Sequence, residues 1–298
     1  GIDEVELVTN GTLLTPKRVN ELVSAGLNYA FVSLHAHSDA ISQFQTRKVG
    51  DFDRTVKGVE LLVDAGVHVE VNHVINSRNF RYMKRYIQFI HDRYQGRVPV
   101  SFAFITPQYQ ALETFDLVPR LSDVMPYVRE AMHLAVTLRQ PFIVGSRQGI
   151  PPCFLGEFQA WSDFWVVTNE SAAEDVYQKA QGPACSECRY GDFCTGLWKP
   201  YIDHYGFEEL SPVRGRQLTR DDLLFGHPDS TMFTQKSVRS NVSRHSTMPK
   251  SNRWCLRKKE RTRPISWIAH DRCASFLQAP ETELAFLRGR SKKQERLR

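Results

Sequence analysis

The stretch Val5-Glu6-Leu7-Val8-Thr9-Asn10-Gly11-Thr12-Leu13-Leu14-Thr15-Pro16 decides the fold, because a strand, a turn and a helix start follow one another without interruption. Val5 to Val8 are strand-like, and Asn10-Gly11 is a turn pair suited to positive φ. Thr15-Pro16 offers an N-cap with Pro at the first helical position, and the helix stops at Gly26. The plan then repeats. Tyr29-Ala30-Phe31-Val32-Ser33-Leu34 reads as a buried strand. Asp51 or Asp53 caps a helix with Val56, Val59, Leu62 and Val63 inward, ended by Gly66. Val67 to Ile75 is the next strand, and Phe80, Met83, Tyr86, Ile87, Ile90 and Tyr94 mark one face of a helix that runs to Gly96. Val98 to Ile105 is again a strand, followed by a helix over about Ser122 to Leu138 and a short strand, Phe142-Ile143-Val144. Strands alternating with amphipathic helices predict an α/β fold with a parallel sheet, either part of a (β/α) barrel or an open doubly wound sheet. In both, chemistry gathers where strands end. The residues at those positions are Thr9-Asn10-Gly11, Ser33-Leu34-His35, Asn72 to Asn76 and Thr106-Pro107.

The chain has 298 residues, 41% hydrophobic and 24% charged, enough for one large or two smaller domains with a real core. No run approaches the roughly 20 apolar residues that cross a bilayer, and the first residues lack the basic and apolar regions of a signal peptide, so a cytoplasmic location and no membrane partner are expected. The sequence opens on Gly1 and enters a strand pattern at once, which raises the expectation that a natural amino-terminal part precedes it. Charge is uneven. Residues 214–298 hold 20 Lys or Arg against 8 Asp or Glu, so the basic balance of the +6 chain comes from this tail. The tail is rich in Ser, Arg and Lys and, apart from a helix-like stretch near Glu281 to Leu287, has no sustained period. We read it as a largely disordered, solvated tail rather than a nucleic-acid arm.

The second half carries a cysteine pattern. Cys153 is followed by Cys185-x2-Cys188-x5-Cys194, four of the six cysteines of the chain. A cytoplasmic chain keeps such thiols reduced, and four thiolates suit either tetrahedral zinc or a cubane iron–sulfur cluster. Structural zinc usually pairs two Cys-x2-Cys knuckles. Only one is present here, with the third ligand at a Gly-Asp-Phe-Cys turn and the fourth far upstream, a spacing that favours iron–sulfur. Elsewhere, His35-x-His37 suggests the metal site of a hydrolase barrel, but such a site needs further His and Asp ligands after later strands, and only His73 is nearby.

Several segments together resemble the radical S-adenosylmethionine superfamily. Thr9-Asn10-Gly11-Thr12-Leu13-Leu14, Val32-Ser33-Leu34-His35, Gly50-Asp51-Phe52-Asp53-Arg54-Thr55 and Gly66-Val67-His68-Val69-Glu70-Val71 are similar to the middle of its barrel core. Pro183-Ala184-Cys185 to Cys194-Thr195-Gly196, running on to Tyr201 and Tyr205-Gly206, is similar to the auxiliary-cluster extension called SPASM or twitch. The resemblance implies three parts: a partial radical SAM (β/α) barrel over 1–145, a small cysteine-rich iron–sulfur domain over 146–213 and the basic tail over 214–298. It also implies that S-adenosylmethionine is the cofactor, with Asn10, Gly11, Ser33, His35, Arg47 and Asn76 around it. Arg47 would pair the cofactor's carboxylate, and Asn76, with the end of the following strand, would line the adenine. Position 198, where the full SPASM pattern places a further cysteine, is Trp198. The implied metal set is therefore twitch-like, one [4Fe–4S] cluster on Cys153, Cys185, Cys188 and Cys194, with Cys255 and Cys273 left out.

The family's Cys-x3-Cys-x2-Cys motif and its Gly-Gly-Glu-Pro turn do not occur in these residues. The expectation is an enzyme, or its carboxy-terminal fragment, that generates a deoxyadenosyl radical for hydrogen abstraction, with this chain inactive by itself. By analogy, its substrate would be a peptide, a protein or a small molecule, and its electron donor a flavodoxin or ferredoxin. The competing expectation is a non-catalytic structural module that binds zinc or an iron–sulfur cluster.

Overall fold

The computed structural model of the chain describes residues 4–145, 148–163, 178–219 and 222. The tail beyond residue 222, with Cys255, Cys273 and the helix-like stretch from Glu281 to Leu287, lies outside the described residues.

Five strands, β1 (Glu6–Thr9), β2 (Tyr29–Ser33), β3 (His68–Ile75), β4 (Val100–Phe104) and β5 (Phe142–Val144), form one sheet in sequence order. Every neighbouring pair is parallel. A parallel pair needs a crossover, and helices supply each one. These are α1 (Pro16–Ser24), α2 (Asp39–Thr46) with α3 (Asp51–Asp64), α4 (Met83–Tyr94), and α5 (Gln110–Glu113) with α6 (Leu121–Leu138). The result is an α/β fold with a five-stranded parallel sheet.

Local chemistry explains most of the boundaries. Thr15 caps α1 by accepting the Arg18 N–H at 3.3 Å, with Pro16 at the first helical position. The turn that follows places Gly26 at φ 104. At α3 the structure corrects the expected cap. Gly50, with φ 74, occupies the N-cap, and Asp51 and Asp53 lie in the first turn, where carboxylates suit the helix dipole. The helix α2 was not expected at all. Only Ser42 of its eight residues is buried and Phe44 is exposed, so it has little apolar periodicity to read.

Alternation along the strands divides the sheet into two faces. Ala30, Val32, Val69, Val71, Ile75, Val100, Phe102, Phe104, Phe142 and Val144 share one core with Val56, Val59 and Leu62 of α3, Ile87 and Ile90 of α4, and Val128 and Ala131 of α6. Burying each such side chain contributes about 1.5–3 kcal/mol. The opposite face carries Tyr29, Phe31 and Ser33 beside His68, Glu70 and Asn72. Because the ladder is parallel and in register, Asn10, Ser33 and Asn76 fall on one rim, at the carboxy ends of their strands.

The cysteine-bearing segment is short on regular structure: β6 (Lys179–Ala180) pairs antiparallel with β7 (Leu197–Trp198), followed by α7 (Lys199–Tyr205). It docks on the start of α6. Arg120, the cap of α6, makes no side-chain capping bond. Instead, the Tyr201 hydroxyl accepts the Leu121 N–H at 2.8 Å and donates to Glu209, whose other oxygen accepts the Ser122 N–H at 2.8 Å. Two donors that every helix start leaves open are thus satisfied from a distant segment. Packing continues past the expected boundary at 213, since Leu218 is buried against Cys188 and Tyr190. Among the described residues, no helix is long and apolar enough to cross a membrane.

One close approach fixes the first loop. An added Cβ at Gly58 of α3 would lie 2.4 Å from the Gly11 carbonyl oxygen, and the Thr55 hydroxyl, one turn earlier, donates to the Asn10 carbonyl at 2.8 Å. In an open helix Gly→Ala gains up to about 1 kcal/mol. Here the backbone contact should reverse the sign, so Gly58→Ala is expected to destabilise the chain by about 1–3 kcal/mol, measured by urea unfolding. A stabilised variant would show that α3 and the loop separate freely.

Candidate functional site

Two sites emerge, one on the rim of the sheet and one in the cysteine segment. On the rim, Asn10, Ser33 and His35 border one hollow together with Thr12, Gln45, Asp51 and Thr55. Asn10 follows β1 with its side chain turned on its own loop, its Oδ1 accepting the Thr12 N–H at 3.1 Å and the Thr12 hydroxyl at 2.9 Å. Gly11 follows at φ 74, which makes room for the turn against α3. Ser33 is the last residue of β2, opposite Asn72.

His35 is the best-held of these side chains. Its Nδ1 accepts the Val74 N–H at 3.1 Å, so the neutral ring carries its proton on Nε2. Its carbonyl accepts from Gln45 at 3.1 Å and Asn79 at 3.2 Å. Burial pushes its pKa down to about 4, so at neutral pH the ring adds a donor and no charge.

The other two expected cofactor residues are placed differently. Arg47 is exposed at the end of α2 with φ 57, its N–H bonded to the Gln43 carbonyl, and it does not border the hollow. Asn76 builds the turn after β3, donating to the Val74 carbonyl at 3.3 Å and accepting the Arg78 N–H at 2.9 Å. It too stands outside the hollow. In their place α2 and the start of α3 contribute Ser42, Gln45, Thr46 and Asp51. The Gly50-Asp51-Phe52 stretch pointed to the α3 residues, whereas nothing in the α2 sequence singled out its polar side chains.

The histidine pair does not form a metal centre. His37 packs near Tyr82, with ring centroids 5.6 Å apart. His73 alternates to the helix side of β3, where it is 1% exposed and lies 4.0 Å from the Tyr86 ring.

A buried carboxyl lies on the opposite face from that core. Glu70 of β3 accepts the Tyr29 hydroxyl at 2.7 Å. Burial, opposed in part by the Tyr29 hydrogen bond, raises its pKa to about 7.

In the cysteine segment, Cys153 sits in a 3-10 turn (Pro152–Phe154), Cys185 in another (Pro183–Glu187), Cys188 just after it, and Cys194 at the turn where its N–H meets the Tyr190 carbonyl at 2.8 Å. All four are free thiols and border one cavity with Pro152, Gln181, Tyr190 and Leu210. Each sulfur faces a backbone amide. The Gly196 N–H donates to Cys194 Sγ at 3.4 Å and the Val213 N–H to Cys188 Sγ at 3.4 Å, while the backbones of Ser211 and Gly182 favour the thiolates of Cys153 and Cys185. Burial, and then the other cysteines, push the Cys153 thiol up to about 12. Burial likewise raises Cys194 to about 11. Among the described residues no three His, Cys, Asp or Glu side chains are placed to hold a metal ion. The donor chemistry of four sulfurs around one cavity, each met by an amide, fits a thiolate-ligated cluster.

Residues 1–90 match the family model described as the Radical SAM superfamily. Over 116 residues the chain is 30% identical to an AdoMet-dependent heme synthase of Methanosarcina barkeri, covering 39% of this chain and 32% of that protein. Over 97 residues it is 32% identical to a GTP 3',8-cyclase of Rhizobium leguminosarum bv. trifolii, covering 31% of this chain and 26% of that protein. The chain thus matches about a third or less of each relative's length. Among solved structures, the crystal structure of HydG, a maturase of the [FeFe]-hydrogenase, aligns with a TM-score of 0.42 at 12% identity, covering 82% of this chain and 63% of that one.

The Glu70 geometry makes a pH prediction. Its folded pKa lies above the ordinary 4.5, so between those values the folded chain holds the extra proton. The stability it contributes is complete below pH 4.5 and is lost as pH rises through about 7. Relative to wild type, Glu70→Gln should gain on the order of 2 kcal/mol between about pH 5 and about pH 8. Urea unfolding of both proteins at the two pH values checks this, and equal differences at both would refute it.

Proposed function

We propose that the chain is part of a radical S-adenosylmethionine enzyme, with the rim hollow beyond β1 and β2 holding part of the cofactor and the four cysteines holding an auxiliary [4Fe–4S] cluster. The match of residues 1–90 to the superfamily model is the observation that carries the reading. When bound beside a cluster with one open iron, S-adenosylmethionine supplies the radical that abstracts a substrate hydrogen.

This chain's residues position and select. His35, neutral and anchored by the Val74 amide, offers an Nε2–H to an acceptor. Ser33 and Thr12 add hydroxyls, and Asp51 supplies a carboxylate beside them. Thr55, through the Asn10 carbonyl, sets where the loop stands. In the cysteine segment, burial and the neighbouring cysteines hold the Cys153 and Cys194 thiols protonated until metal replaces the protons. The four amides then steady the thiolates. Four free cysteines bordering one cavity support a thiolate-ligated metal centre. A peptide or a small molecule is the substrate in this reading, and a flavodoxin or ferredoxin the electron donor.

Anaerobic reconstitution with iron and sulfide tests the cluster. About four irons per chain are expected, with iron lost in Cys188→Ala and kept in Cys255→Ala, whose site lies outside the described residues. Near-stoichiometric zinc without sulfide would select a structural zinc module instead.

The 298 residues contain no Cys-x3-Cys-x2-Cys motif, so they have no triad for the cofactor-cleaving cluster. The reconstituted, reduced chain is expected to release no deoxyadenosine from S-adenosylmethionine above a no-protein control, and activity should require a polypeptide bearing that triad. Chromatographic detection of deoxyadenosine with this chain alone would contradict the assignment.

A further inference from the structure

The turn and helix that follow β3 carry charge out of keeping with the rest of the body. Residues 1–213 hold six more acidic than basic side chains, yet between Glu70 and Asp92 there is no acidic residue and there are four cations, Arg78, Arg81, Lys84 and Arg85. Arg78 is engaged at α2, where its guanidinium donates to the Phe44 carbonyl at 3.0 Å. The other three border a groove of about 420 Å³ between α4 and α6, together with Gln88, Tyr127 and Glu130. All three are exposed, and among the described residues none of them pairs with a carboxylate.

Stability does not explain these charges. Lys84 and Arg85 stand in the first turn of α4, where the helix dipole favours carboxylates and disfavours cations. Two of the guanidiniums are nevertheless held over rings: Arg81 lies 4.4 Å from the Phe80 centroid and Arg85 lies 6.0 Å from that of Tyr82. Phe80 in turn packs edge-on against Tyr127 of α6, with centroids 5.2 Å apart, which joins the two walls of the groove. A guanidinium already stacked loses less freedom on meeting an anion than a free side chain does. The groove is also tied to the rim. Tyr82 packs on His37, with ring centroids 5.6 Å apart, and Asn79, just before the turn Phe80–Tyr82, donates to the His35 carbonyl at 3.2 Å and to the Val74 carbonyl at 2.8 Å.

We propose that this groove docks an extended acidic segment of a partner polypeptide beside the rim hollow. Cations that no carboxylate of the chain satisfies are complementary to carboxylates brought from outside. A concave groove between two helices takes one extended strand better than it takes a flat protein face. Four residues along a helix rise roughly 6 Å, close to the roughly 6.6–6.8 Å between neighbouring side chains on one face of an extended chain, so alternate acidic residues meet successive cations. A phosphate backbone fits less well, because Glu130 stands in the groove and the body around it is net negative. The inference rests on the groove and not on the cofactor or cluster reading.

Fluorescence polarisation at low salt tests it, with the full chain and a short fluorescein-labelled peptide bearing glutamate at alternate positions. The triple variant Arg81→Gln/Lys84→Gln/Arg85→Gln is expected to bind about tenfold more weakly than wild type, and Glu130→Gln about twofold more tightly. The chain beyond residue 213 is itself basic, so the substitutions Arg257→Gln, Lys258→Gln and Lys259→Gln are added to both wild type and the triple variant. They should leave the tenfold difference in place. The groove variants should melt as wild type does, because the altered side chains are exposed. Should the triple variant melt lower, Glu130→Gln decides alone: tighter binding supports the proposal and unchanged binding overturns it. Equal binding by wild type and a stably folded triple variant would overturn it, as would equal binding of the same peptide with glutamine in place of glutamate. A labelled single-stranded DNA that binds more tightly than the peptide, and through the same three cations, would overturn the choice of a polypeptide.

Discussion

The parallel ladder is the constraint on which the rest depends. Strands that all run one way must each be followed by a crossover, and the crossovers pack as helices on the face formed by Ala30, Val32, Val69, Val71, Val100 and Phe102. That choice fixes two further things. The opposite face receives every other side chain, which sends Glu70 and Tyr29 together and away from the core. All carboxy ends also meet at one rim, so the loop after β1 and the connection from β2 into α3 border the same hollow.

The strands and the larger helices were legible because their apolar periods are strong. The short strand Phe142–Val144 was read to its ends, and the helix of Leu121–Leu138 to within one residue at its start. What escaped was decided by contacts rather than by pattern. A helix such as α2 buries little, so its sequence shows no stripe. Gly50 caps α3 through a left-handed backbone conformation, a role that adjacent aspartates obscure.

The site shows the same division. Sequence places a residue at a strand end, but not the direction of its side chain. Asn10, Ser33 and His35 border the hollow, whereas Asn76 turns inward to finish its own loop and Arg47 stands exposed at a helix end. Long side chains and Asx turns have local alternatives, and the local hydrogen bond wins where it is available. Cys185, Cys188 and Cys194 belong to a run of tight turns, with their N–H groups bonded to the carbonyls of Gly182, Cys185 and Tyr190 respectively.

The two sites are mechanically joined, and the joint is polar. The cysteine segment reaches α6 through Tyr201 and Glu209, which take over its open N–H groups. Tyr201 also packs edge-on against Phe104 at the end of β4, with ring centroids 6.1 Å apart. Tyr205 adds a hydrogen bond from its hydroxyl to the Val118 carbonyl at 2.7 Å. A helix start left without these partners would expose buried donors, so the segment and α6 stabilise one another. The four thiols repel one another when ionised, and metal reverses that repulsion into attraction. A shift of the cysteine-bearing loops therefore acts through α7 on the end of β4 and on α6, while the hollow beyond β1 and β2 stays tied to α3 by Thr55 and Gly58.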